Sequence, residues 1–119
     1  MKKFLILFVC ALLISCASKG QTVDRKVTPD QYYRVSGYAK ALVISGSLET
    51  VTKRETPTKR ILKVFINNDV AINENLIDDN DELKGRWKNK KVSAACYSKN
   101  NNLRCLIYVC NERTVTLSF

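Results

Sequence analysis

Five cysteines and no histidine bound the chemistry open to this 119-residue chain. Histidine is the usual general base near neutral pH, the activator of serine and cysteine nucleophiles, and the commonest metal ligand. Without it no acid–base or nucleophile constellation is in view, so the chain reads as a non-enzyme with no cofactor and no metal. The one acidic cluster, Asp78-Asp79-Asn80-Asp81-Glu82, does not change this. A calcium loop of the helix–loop–helix kind needs glycine at its sixth position and glutamate at its twelfth. Counted from Asp78, those positions hold Leu83 and Asn89, so the cluster reads as a solvated hairpin turn.

The cysteines separate by position. Cys10 lies inside an apolar run, Cys16 closes it, and Cys96, Cys105 and Cys110 fall late in the chain. Lys2 and Lys3 form a positive start, and Phe4 to Ile14 form an apolar stretch of signal-peptide length, too short to span a bilayer. Leu13-Ile14-Ser15-Cys16 ends that stretch with a branched apolar residue, a tolerated position, a small residue and a cysteine. This resembles the lipobox of bacterial lipoprotein signal peptides. The resemblance implies diacylation of Cys16 on sulfur, cleavage before it, and acylation of the freed nitrogen. A plain secretory signal with an accidental cysteine, or an uncleaved anchor, is the alternative. Two or more acyl chains hold a protein stably at a membrane where one does so only marginally. Ala17, rather than aspartate, follows the cysteine, which resembles the outer-membrane-sorted class if the envelope is Gram-negative.

The chain then divides into a signal peptide over 1–15, a lipidated cysteine and flexible tether over 16–27, and a single β domain over 28–119. Without the signal, 18 basic side chains face 11 acidic ones, a net charge near +7. A basic surface favours anionic partners. Of the three late cysteines, an oxidising compartment predicts one disulfide and one leftover thiol.

Positioning these groups falls mostly to strands. Thr28-Pro29-Asp30-Gln31 matches a helix start with a capping box, giving a short helix to about Val35. Tyr38 to Ser45 reads as a strand, with a helix through Leu42 as the competitor. Gly46 marks a bulge or bend before a strand over Leu48 to Lys53, and Glu55-Thr56-Pro57-Thr58 reads as a turn. Hairpins follow: Ile61–Asn67 with Val70–Ile77, Leu83–Lys88 with Lys91–Ser98, then Leu103–Cys110 and Thr114–Phe119. The expected turns are Asn68-Asp69, Asn89-Lys90, Lys99 to Asn102, and Asn111 to Arg113. The registers pair Phe65 with Ile72, Trp87 with Val92, Cys96 with Cys105, and Val109 with Val115. They collect the apolar side chains of the last four strands on one face. The fold class is therefore mainly β: an antiparallel meander of about seven strands, in one sheet curled toward or closed into a small barrel. Cys96 and Cys105 form the disulfide, and Cys110, on the other face, reads as a buried or half-buried thiol, with an intermolecular bridge as the alternative.

The same registers set Lys84, Arg86 and Lys88 outward, with Arg86 beside Ser93 and Ser93 beside Tyr108, and Arg104 beside Tyr97. A face of arginine, lysine and tyrosine suits phosphates, sugars or acidic proteins. The alternative is an ordinary solvated face. The expected partners are the membrane, through the lipid, and an anionic envelope component or acidic protein, with no nucleic acid. In size, anchor, β content and disulfide the chain resembles the periplasmic lysozyme inhibitors, without their inhibitory motif. An inhibitor of a hydrolase or toxin is therefore the second reading. Lipidation has a direct check. Cys16→Ser leaves an uncleaved precursor that takes up no fatty-acid label; a wild-type chain without label, or cut elsewhere, overturns the assignment.

Overall fold

A computed structural model describes residues 21–119. The expected signal segment and the expected lipidation site at Cys16 lie outside the described residues. Nine strands make up the rest: β1 (Gln21–Val27), β2 (Gln31–Tyr33), β3 (Leu42–Lys53), β4 (Thr56–Ile66), β5 (Asp69–Asn75), β6 (Asp81–Trp87), β7 (Lys90–Lys99), β8 (Asn102–Val109) and β9 (Glu112–Ser118). All neighbours are antiparallel, so the mainly β meander holds. The chain does not build one sheet, and it does not close a barrel. It forms a sheet of β1 and β2 on β3, then β4 and β5, and a second sheet β6-β7-β8-β9. The inner faces of the two share one apolar core.

The N-terminal expectations need correction. Gln21–Val27, half of the expected tether, is a strand paired with Val51, Glu49 and Ser47 of β3 among others. Among the described residues there is no helix, and Gln31–Tyr33 is a short strand. Thr28 does not cap a helix. It is buried, its amide donates to the Gly46 carbonyl at 2.9 Å, and its Oγ1 accepts from the Gly46 amide at 2.9 Å. The side chain thus replaces ladder bonds where Pro29, with no N–H, interrupts the edge.

Tyr38 lies outside any strand, while Leu42 to Lys53 run as one strand through Gly46. Gly46 is not a bend but a site of close approach: a Cβ there would stand 2.6 Å from Leu117 Cδ1 of the opposite sheet. Pro57 lies within β4, opposite the register shift between Val51 and Lys53, where the ladder is already interrupted. The turn is at residues 54–55.

Four hairpin turns decide the remaining registers. Their residues are Asn67-Asn68, Lys88-Asn89, Asn100-Asn101 and Cys110-Asn111, and all eight have positive φ, between 46° and 69°. A two-residue turn with both residues left-handed matches the twist of the strands, and asparagine tolerates that conformation. Three of these turns sit one residue earlier than expected. In β4 the buried face is the opposite of the expected one: Leu62, Val64 and Ile66 are buried, while Ile61 and Phe65 turn outward and are half-buried, and Ile72 of β5 stays buried. Phe65 pairs with Val70 and Val64 with Ile72, around a bulge at Ala71. In β6–β7 the shift is two residues, so Trp87 faces Lys90 and Gly85 faces Val92. In β8–β9, Cys105 meets Leu117 instead of Phe119. A two-residue shift keeps every side chain on its side.

The β7–β8 register is the expected one, Cys96 opposite Cys105 with Cα atoms 4.0 Å apart, and the two are disulfide-bonded. A loop this short gains roughly 2.5–3 kcal/mol from the bond on the chain-entropy account. Cys110 is a free thiol, exposed in its turn and not buried. Trp87 is 4% exposed, its indole donates to Asp69 at 3.3 Å, and its ring centroid lies 6.2 Å from that of Tyr38.

Two seams join the sheets. On one, Gln31 donates to the Thr116 carbonyl at 2.9 Å, and the Ser36 amide donates to Glu112 at 3.3 Å. On the other, the chain crosses between the sheets at residues 76–80, where Leu76 donates to the Arg60 carbonyl at 2.7 Å and Arg60 meets Asp79 at 2.7 Å.

Both seams give expected outcomes. A Cβ on Gly85 would run into the Ala71 carbonyl, a backbone obstacle that no rotamer change relieves. Gly85→Ala should therefore lower stability by about 3 kcal/mol, read as the urea midpoint with an unchanged slope. Hydrogen bonds from Ser36 hold the Glu112 carboxyl below the ordinary glutamate range. A lowered carboxylate pKa stabilises above the unfolded value and loses that contribution as pH falls through the folded one. Ser36 amide exchange should accelerate as pH falls below the glutamate range, after correction for the intrinsic rate, while that of Ala94 should not. In Glu112→Gln the pH step should vanish.

Candidate functional site

The outer face of β6–β9 brings together most of the expected binding residues. Strand alternation alone sets it: Leu83 and Trp87 are buried, so Lys84 and Arg86 point outward and are exposed. Across the sheet, Lys84 pairs with Ser93, Ser93 with Tyr108 and Tyr108 with Arg113. A second row runs Tyr97, Arg104, Ser118. Tyr97, Arg104 and Tyr108 are half-buried among these neighbours.

Two placements differ from expectation. Arg86 lies opposite Lys91, and Lys84 takes the place beside Ser93. Lys88 is not on this face. It occupies the turn at φ 46°, with its Nζ 5.1 Å from the centroid of the Trp87 ring. A lysine over an indole covers the end of the core and contributes about 0.5–1 kcal/mol at an exposed site.

The sequence reading missed Lys91 and Arg113. Lys91 opens its strand in both registers and gains Arg86 as its partner when the turn is Lys88-Asn89, while Arg113 leaves the expected turn and joins the face when the turn is Cys110-Asn111. The signal available was asparagine in the second turn position, at Asn89 and Asn111.

The electrostatics are one-sided. Residues 84–104 contain seven lysines and arginines and no acid. On the outer face Lys84, Arg86, Lys91, Arg104 and Arg113 stand against Glu82 alone. Among the described residues the ion pairs are Arg25–Glu49 at 3.9 Å and Arg60–Asp79 at 2.7 Å, so none of the five is paired. The Nε of Arg104 is buried without a hydrogen-bond partner. Such a group costs free energy in the unliganded protein.

The face is hollowed. A groove of about 340 Å³ is lined by Glu82, Lys84, Arg86, Lys91, Ser93 and Asn111. A second hollow of about 350 Å³ shares Glu82, Ser93 and Asn111 and adds Ala95 and Tyr108. Small side chains at Ser93 and Ala95 form the floor. Among the described residues no group of three or more Cys, Asp or Glu is placed to hold a metal ion. The arrangement sets several unpaired basic side chains around one hollowed face. No known protein family matches the chain, and no characterised protein or solved structure is significantly similar to it.

Proposed function

We propose that this protein is a lipid-anchored, non-enzymatic binding module of a bacterial cell envelope, acting in the outer membrane if that envelope is Gram-negative. Its ligand is an anionic envelope component or an acidic partner protein, held on the outer face of β6–β9. The supporting observation is the unpaired charge of that face: five basic side chains interleaved with Tyr97 and Tyr108, on a sheet whose other side is core. Arginine forks and tyrosine rings on a rigid sheet lose little freedom when they meet a phosphate or carboxylate. The module belongs with the exclusion, immunity or assembly-accessory lipoproteins. An inhibitor of a hydrolase or toxin would need a loop long enough to enter a cleft. The hairpin turns of β6–β9 have two residues each, which favours the face over the loops.

The anchor fits the same reading. Four residues lie between Cys16 and Gln21, so five Cα–Cα steps span at most about 17 Å. A lipid on Cys16 would hold the domain against the membrane surface and limit its ligands to that layer.

The test is a calorimetric titration of the processed protein, in neutral detergent, with inorganic tripolyphosphate at rising salt. Wild type should bind, and more weakly as salt rises. Lys84→Gln with Arg86→Gln should weaken binding at least tenfold and shift stability by no more than about 0.5 kcal/mol, since both side chains are exposed. Trp87→Ala should lose about 3–5 kcal/mol of stability. Undiminished binding by the double variant overturns the face as the site.

A further inference from the structure

We propose that the groove on this face selects a phosphorylated sugar over a simple polyanion. This rests on the outer-face reading and narrows it. Glu82, Lys84 and Arg86 point outward from β6 at two-residue steps, about 7 Å each. Their partners on β7 are Ala95, Ser93 and Lys91 in turn. The groove therefore has a doubly basic end, Arg86 across from Lys91, and an acidic end, Glu82 across from Ala95. Lys84 lies between them.

A uniformly charged polyanion satisfies the first end and is repelled at the second. A ligand with one phosphate and several hydroxyls satisfies both. Its phosphate meets Arg86 and Lys91, where charge-assisted bonds are strongest. Its ring lies over Ser93 and Ala95, whose small side chains leave the hollow, against Tyr108 on the next strand. Its hydroxyls donate to Glu82, and Asn111 supplies both a donor and an acceptor. A sugar ring has an apolar face for the tyrosine and a polar edge for the carboxylate. The volumes, about 340 and 350 Å³, match the small end of ligand pockets. The position of Glu82 makes this more than a charged patch: the one carboxylate on the face lines both hollows.

The processed protein in neutral detergent is titrated with glucose 6-phosphate, with inorganic phosphate, and with an alkyl glucoside 6-phosphate in the micelle. Amide shifts of Ser93, Ala95 and Asn111 report the site. Both sugar phosphates should bind at least tenfold more tightly than inorganic phosphate. Binding of the alkyl glucoside alone would support a glycolipid headgroup as the source; equal binding of both sugars would support the free sugar phosphate as well. Glu82→Gln should bring the sugar-to-phosphate ratio close to one, chiefly by weakening the sugar. Lys91→Gln should weaken all three. Both residues are exposed, so both variants should fold. Equal affinity for sugar phosphate and inorganic phosphate, lost in Lys91→Gln, overturns the selectivity and leaves the anionic face standing. No binding of these probes or of tripolyphosphate overturns both.

Discussion

Four two-residue turns, each with both residues left-handed, determine which side chains meet across the hairpins of this protein. The alternation within a β-strand sets which side chains it can bury; the turn that feeds it sets what they stand beside, and a slip of one residue in that pairing sets buried faces against exposed ones. Asn68, Asn89, Asn101 and Asn111 take the second place in each turn, where an ordinary side chain would be strained. The pairings across the outer face of the β6–β9 sheet follow from that. With the turn at Lys88-Asn89, Arg86 stands opposite Lys91 and the two bases make one end of a groove. With the turn at Cys110-Asn111, Arg113 comes onto the face beside Tyr108.

The fold class was legible because period-two patterning is strong after residue 80. Leu83, Trp87, Val92, Ala94 and Cys96 alternate with polar residues, and only one frame buries them. The Cys96–Cys105 pairing followed from the same pattern. The β4–β5 hairpin was legible but its register was not, because Ile61-Leu62 and Val64-Phe65-Ile66 put apolar side chains in both frames. Pairing by hydrophobicity then cannot choose, and the turn chooses. At the N-terminal end, Thr28-Pro29-Asp30-Gln31 carries local signals for a helix start, yet tertiary context overrides them. Thr28 finds its partner in Gly46, 18 residues away, and no local pattern announces that. The face itself was legible as charge and alternation. The groove was not, since it depends on which small residues sit beside which large ones across three strands.

The two sides of the β6–β9 sheet are chemically independent. Its inner side is closed by Leu117 against Gly46 and by the β5 backbone against Gly85, contacts with no room for an added carbon. Its outer side is nearly free of internal ion pairs and holds a buried guanidinium nitrogen without a partner. Residues that stabilise the fold and residues available to a ligand are thus carried on alternate positions of the same strands. Substitution on one side can proceed without disturbing the other.

Every pairing within β6–β9 joins neighbours in the sequence. Such hairpins need little loop-closure entropy and form within microseconds. A sheet assembled only from them has low contact order and can zip from any turn. The cysteines inherit this order. Cys96 and Cys105 are nine residues apart across a single turn, so the β7–β8 pairing alone brings their thiols together. Cys110 lies at the next turn and cannot compete once β7 and β8 are paired. The disulfide is thus a property of one local hairpin: a single two-residue turn places both of its cysteines, with no need of the opposite sheet.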